Sequence, residues 1–177
     1  ILTFAIAFTI NFTPLYAFDI SYLNIEEAVG LPKEVIIENY QILMKYLNLP
    51  WVTQLSMPDF PSSASGLFHF YEVKVLFMLN YGVFVISGIL AFLFLRKKVK
   101  DRRMWQLIRP AQMMAIIPLV VLFFLAVNFR RIFLLFHEVF FNNDAWIFDW
   151  RTDPIILALP QDFFMHCFIL VFVIMEI

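Results

Sequence analysis

Arg96-Lys97-Lys98-Val99-Lys100-Asp101-Arg102-Arg103 separates two strongly apolar stretches, residues 71–95 and 104–129. Each stretch exceeds the roughly 20 residues that a helix needs to cross a bilayer's hydrocarbon core. A short, densely basic turn between two such stretches reads as a cytoplasmic link, because Lys and Arg are retained on that side. With Arg109 it holds 7 of the 13 Lys and Arg residues. Basic clusters also attract nucleic acid, but between two apolar spans the cluster acts as a topology signal. No nucleic-acid partner is expected.

Working outward, two more apolar stretches lie near the ends, residues 1–18, interrupted by Pro14, and 163–177. The chain is 62% hydrophobic and 15% charged, against about 45–50% and about 25% in soluble domains. The expected fold is therefore an all-α integral membrane protein in one domain. It has four transmembrane helices at about 1–18, 71–95, 104–129 and 163–177. The connections 19–70 and 130–162 face outward as an extracellular cap, 96–103 is cytoplasmic, and both termini are cytoplasmic. Pro118 is expected to kink the third span. The setting is a bilayer, with membrane lipid as solvent and partner.

The outer connections carry structure of their own. Leu31-Pro32-Lys33-Glu34 opens a helix with proline at a tolerated early position. Ile36, Tyr40, Leu43 and Leu47 then recur at helical spacing, so one face is apolar. Pro58-Asp59-Phe60-Pro61-Ser62-Ser63 breaks regular structure before Gly66.

Chemistry concentrates in two places. His69 precedes the second span, with Glu72 one helical turn on, where it can orient the imidazole. His137 stands in Phe136-His137-Glu138-Val139-Phe140-Phe141-Asn142-Asn143-Asp144, with Trp146 beyond. Both fall on the outer side by an argument that used only Lys and Arg. Ionisable groups at a membrane mark function by default, and an aromatic cluster around them suits acyl chains. His166 pairs naturally with Asp162, four residues earlier. Cys167, the single cysteine, reads as packing. His69, Glu72, His137 and Asp144 are metal-ligand types, but no paired-Cys or His-Glu-x-x-His spacing accompanies them. No metal or other cofactor is expected.

These residues carry a resemblance. The chain resembles the bacterial lipoprotein intramolecular transacylase family, Lit, along nearly its whole length. The matching stretches are Asn39-Tyr40 through Tyr46-Leu47, Pro58-Asp59-Phe60-Pro61 through Gly66-Leu67-Phe68-His69-Phe70, Glu72-Val73-Lys74, and Phe136 through Trp146, Asp153, Leu159-Pro160 and Phe163-Phe164. Similar proteins often carry Asp where this chain has Glu72. The resemblance implies an enzyme acting on diacylated membrane lipoproteins, whose N-terminal cysteine bears a thioether-linked diacylglyceryl group and a free α-amine. The sn-2 acyl chain moves to that amine, giving the lyso form. The family's two catalytic histidines carry over to His69 and His137. Glu72, Lys74, Phe136, Phe140, Phe141, Asn142, Asp144, Trp146, Phe163 and Phe164 are the expected substrate-binding or orienting residues.

Granted that substrate, attack of amine on ester closes an eight-atom ring through N, Cα, Cβ, S, two glycerol carbons, the ester oxygen and the carbonyl carbon. Holding the ends together is much of the task, since orientation is worth up to about 7–11 kcal/mol. One neutral histidine removes a proton from the amine, and a second group assists the oxyanion or leaving alkoxide. His137 is favoured as base and His69 as partner, with the reverse assignment open. Rings more than about 12 Å apart would leave a paired mechanism without a basis. The alternatives are an acyltransferase with Cys167 as covalent nucleophile, and a membrane scaffold or transport subunit.

Overall fold

A computed structural model describes residues 1–176. It is all-helical among those residues. Helix α1 (Leu2–Asn11) and helix α2 (Thr13–Tyr22) are bent 59° apart at Phe12. Pro14 lies at the start of α2, where its missing N–H costs nothing. Each is ten residues, about 15 Å, so neither crosses a bilayer alone. Helix α3 (Ile25–Val29) ends at Gly30, whose φ of 73° supplies the left-handed cap. Helix α4 (Lys33–Asn48) buries Ile36, Tyr40, Leu43 and Leu47, the stripe read from spacing.

Helix α5 (Ala64–Lys100) has 37 residues and spans about 55 Å, well beyond a hydrocarbon core of about 30 Å. Its apolar middle and that of helix α6 (Ile108–Phe140) are long enough to cross a membrane, with mean hydropathies of 2.2 and 2.3 over their most apolar windows. The side chains there point outward. Ile86, Leu90 and Phe92 of α5, and Met113, Phe123 and Val127 of α6, are exposed. In water such a girdle would be prohibitive, and in lipid it is the natural surface. Arg102 adopts φ 53°, and the Arg103 N–H donates to the Lys98 carbonyl, which ends α5. A 3₁₀ turn, Met104–Leu107, leads into α6.

The break in α6 differs from the expected one. Asn128, not Pro118, has non-helical dihedrals (φ −158°, ψ 74°). Its Oδ1 accepts from the Arg131 N–H at 3.1 Å, so it caps the segment that follows. The third apolar stretch and the His137 segment are thus one bent helix rather than a span and a separate outer element. Helix α7 (Ile155–Ala158) and helix α8 (Gln161–Glu176) complete the fold. The last residue of the expected fourth span, Ile177, lies outside the described residues.

Helix α8 packs on α1 and α6, α5 packs on α1 and α4, and α3 packs on α7. The densest core lies at the end of the bundle away from the basic turn. Tyr16 stacks on Tyr40 at 3.9 Å between ring centroids, Phe163 meets both edge-on, and the Tyr16 hydroxyl donates to the Ala158 carbonyl at 2.8 Å. Phe60 is buried in the same core. Its loop is held by Asn39, which donates to Asp59 Oδ2 at 2.8 Å and accepts from the Asp59 N–H at 3.2 Å.

Candidate active site

His69 sits two turns into α5, and the start of that helix is fixed twice. The Ser63 hydroxyl caps it, accepting from the Gly66 N–H at 3.0 Å. Asp153, from the connection between α6 and α7, accepts the Ser63 N–H at 2.8 Å. Gly66 allows this approach, because a Cβ there would overlap the Asp153 carboxylate. His137 sits at the last turn of α6. The two imidazoles come from the start of α5 and the end of α6 and lie 5.9 Å apart between ring centroids. His69 lies 28 residues before Lys97 on the same helix, so the pair is about 42 Å from the basic turn.

Aromatic rings enclose the pair. Phe141 packs against both, edge-on to His69 at 4.7 Å and tilted by 35° to His137 at 5.5 Å. Phe148 meets His69 at 5.5 Å. Phe133, Trp146 and Phe136 surround His137 at 4.3, 4.7 and 5.5 Å. Exposure is only 7% for His69 and 9% for His137.

Both histidines lie outside the apolar stretches 71–95 and 104–129, and burial governs their protonation. It lowers His69 to about 4, with the neighbouring His137 adding to the effect. Burial also lowers His137, but the Phe133 carbonyl opposes that shift. The carbonyl lies 2.7 Å from His137 Nδ1. A carbonyl can only accept, so Nδ1 carries the proton and Nε2 presents the lone pair. His69 Nδ1 is buried with no partner.

The other expected site residues divide. Asn142, Asp144, Phe141 and Trp146 line an open groove of about 350 Å³ with Glu138 and Asn143. The histidines are not among the residues lining this groove, which shares Phe141 and Trp146 with their aromatic surround. Glu72 does not bond to His69. Its Oε1 accepts from Asn143 Nδ2 at 2.8 Å, and the Asn143 Oδ1 is itself held by the Ala145 N–H at 2.9 Å. Lys74 turns to the Val52 carbonyl and the face of Tyr46. Phe140 is exposed and packs on Phe136. Phe164 touches Phe133, one ring removed from His137, while Phe163 belongs to the Tyr16 core. His166 bonds Asp19 at 2.8 Å rather than Asp162, because α2 lies against α8. Cys167 packs against the core.

Asn143 escaped the list of expected binding residues, although it lies inside the quoted motif. Nothing local distinguishes Asn143 from Asn142, since its partner Glu72 is far away in sequence. Among the described residues, no group of three or more His, Cys, Asp and Glu side chains converges as metal ligands would.

Comparison with known proteins bears on this arrangement. The family profile described as "Lipoprotein intramolecular transacylase Lit" matches residues 1–164. No match is found among curated protein sequences. The structure is similar to that of the membrane-integral lipoprotein intramolecular transacylase Lit from Bacillus cereus, with a TM-score of 0.94 and 30% identity, covering 99% of this chain and 81% of that one. Two structures of the same relative with one histidine replaced, by arginine and by alanine, match with TM-scores of 0.80 at 30% identity, covering 99% of this chain and 82% and 84% of theirs. A profile match over residues 1–164 and a helical, membrane-integral structural counterpart along the whole chain make this protein a member of the lipoprotein intramolecular transacylase family, Lit.

Proposed function

We propose that this chain moves the sn-2 acyl group of an S-diacylglyceryl N-terminal cysteine onto that cysteine's α-amine, with His137 as general base and His69 as hydrogen-bond donor. One observation carries the reading. Two imidazoles distant in sequence lie 5.9 Å apart inside an aromatic shell, within reach of one reacting group. The enzyme crosses the bacterial plasma membrane four times, with the basic turn cytoplasmic and the histidines at the outer surface. The distance of about 42 Å between His69 and the basic turn supports that orientation.

The chemistry follows from the two protonation states. The α-amine has a pKa of about 7.7–8.0, so its neutral form is available at physiological pH. Its nitrogen adds to the sn-2 carbonyl, giving a tetrahedral centre with a cationic N–H₂ and an oxyanion. His137 Nε2 takes one N–H proton, and the Phe133 carbonyl steadies the imidazolium through Nδ1–H. The oxyanion accepts a hydrogen bond from His69, which burial keeps neutral. A neutral imidazole can donate to an oxyanion without surrendering its proton. The intermediate collapses, the bond to the glycerol oxygen breaks, and the alkoxide takes the proton from His137. Amide and alcohol form with no net proton change. The aromatic walls keep water from the tetrahedral centre, where it would divert the acyl group to hydrolysis.

The test is mass spectrometry of a diacylated lipopeptide incubated with wild type, His69→Ala and His137→Ala. Loss of the N-acyl product in both variants is the expected result. Full activity in both overturns the assignment.

A further inference from the structure

Among the described residues, four buried side-chain polar atoms lack a hydrogen-bond partner, and two of them are His69 Nδ1 and Glu72 Oε2. These two residues are one helical turn apart on α5, whereas the other two, Thr9 Oγ1 and Asp19 Oδ2, lie on α1 and α2. A buried carboxylate oxygen without a donor is costly, because it gives up its water and gains nothing in exchange. It persists where something absent from the free protein supplies the donor. Glu72 is held for such a ligand. Asn143 fixes its Oε1, and Asn143 is itself fixed by the Ala145 N–H. The nearby cation does not fill the place, since Lys74 is spent on the Val52 carbonyl and the Tyr46 ring. The groove that Asn143 lines adds Glu138 and Asp144 and contains no basic residue.

We propose that Glu72 Oε2 is the receptor for the substrate's α-ammonium group, making the site selective for lipoproteins with a free amino terminus. The inference rests on the reaction assigned above. Ammonium is the major form of the amine at neutral pH, and it brings three N–H donors to an acidic, otherwise unpaired position. Docking there delivers the nitrogen one helical turn from His69, after which the ammonium gives one proton to solvent water and attacks as the neutral amine, leaving His137 free to take the second. An N-acylated lipoprotein has neither the charge nor the donors, so the site rejects its own product and lets it leave. Glu72 is thereby a binding residue for the nitrogen rather than an orienter of His69.

The test uses the full chain in detergent micelles and two unreactive lipopeptides whose sn-2 chain is ether-linked, one with a free α-amine and one N-acetylated. Wild type is expected to bind the free amine about 10- to 100-fold more tightly, the worth of a charge-assisted hydrogen bond. Glu72→Gln is expected to lose that preference while keeping its affinity for the acetylated lipopeptide, which also reports correct folding. Glu72→Asp, which keeps the charge, is expected to restore part of it. Undiminished preference in Glu72→Gln overturns the assignment, and so does equal binding of both lipopeptides by a wild type that forms N-acyl product. A wild type that forms no N-acyl product from the ester substrate overturns the underlying reaction, a result distinct from either.

Discussion

Gly66→Ala tests how the site is held. A Cβ at position 66 overlaps the Asp153 carboxylate, including its Cγ, so the new methyl and the acid cannot both keep their places. Asp153 is buried, accepting from the Ser63 N–H at 2.8 Å and the Thr152 hydroxyl at 2.7 Å. Hydrogen bonds to a charged group are worth about 1.5–3 kcal/mol each. Displacing the carboxylate far enough to lose the Ser63 bond therefore costs about 2–3 kcal/mol, with the Ser63 N–H also left unpaired. The effect is conditional. In an Asp153→Ala background the obstacle is gone, and alanine, a better helix former than glycine, costs nothing. The double-mutant cycle should thus show a favourable coupling of about 2 kcal/mol. The assay is unfolding of detergent-solubilised protein by denaturant, with N-acyl product formation as a second readout. His69 is one turn beyond Gly66, and a shift of about 1 Å in a reacting group can cost about a hundredfold in rate. If the two single costs add, Gly66 and Asp153 do not meet as described and the clamp on α5 is refuted.

Acidification should weaken the fold. Because His69 is lowered from 6.5 to about 4, the unfolded chain takes up a proton between those values that the folded chain refuses. Stability is therefore fully present above about 6.5 and falls by about 3 kcal/mol by pH 4. A thermal-unfolding series should show that decline, and His69→Asn should flatten it. The histidine roles predict unequal rescue: His69→Asn keeps a neutral N–H donor and should retain more activity than His69→Ala. His137→Asn supplies no base and should be as slow as His137→Ala, down about 10²–10⁴-fold by initial rates of N-acyl formation. Asp59→Ala removes the carboxylate that accepts from Asn39 Nδ2, leaving the Phe60 loop held to α4 by the backbone N–H of residue 59 alone. It should cost about 1–3 kcal/mol in denaturant unfolding and leave the pH dependence of the rate unchanged.

The helical membrane fold was legible because the bilayer imposes a length and the basic turn imposes a boundary. The α4 stripe was legible because burial of one face leaves a period of 3.6. Other features depend on partners that no local pattern names. Pro118 predicts a kink from its own chemistry, yet the break falls at Asn128, where the side chain can replace the lost backbone bond. Asp162 has the right spacing for His166, but a helix–helix contact brings in the fully buried Asp19 instead. Glu72 has the right spacing for His69 and bonds to Asn143. In each case a short-range rule was sound and a long-range contact outweighed it.

The connection between α6 and α7 explains why the histidines could be recognised while their setting could not. That connection supplies neither imidazole. It supplies Asn143 to hold Glu72, Trp146 and Phe148 to wall the rings, and Asp153 to anchor the start of α5. It therefore acts as a bracket that fixes α5 against the end of α6, and the distance between the histidines is set by residues that do no chemistry. An eight-atom closure needs that rigidity more than it needs a stronger base, because orientation is worth up to about 7–11 kcal/mol while a general base gives about 10²–10⁴ in rate. The consequence is that changes in the bracket, at Asp153 or Asn143, should rival a change in either histidine. A change at Asp153 should do so by lowering the rate at saturating substrate, since the reacting groups remain present but no longer meet, while one at Asn143 should also weaken binding of the free amine, because it releases Glu72.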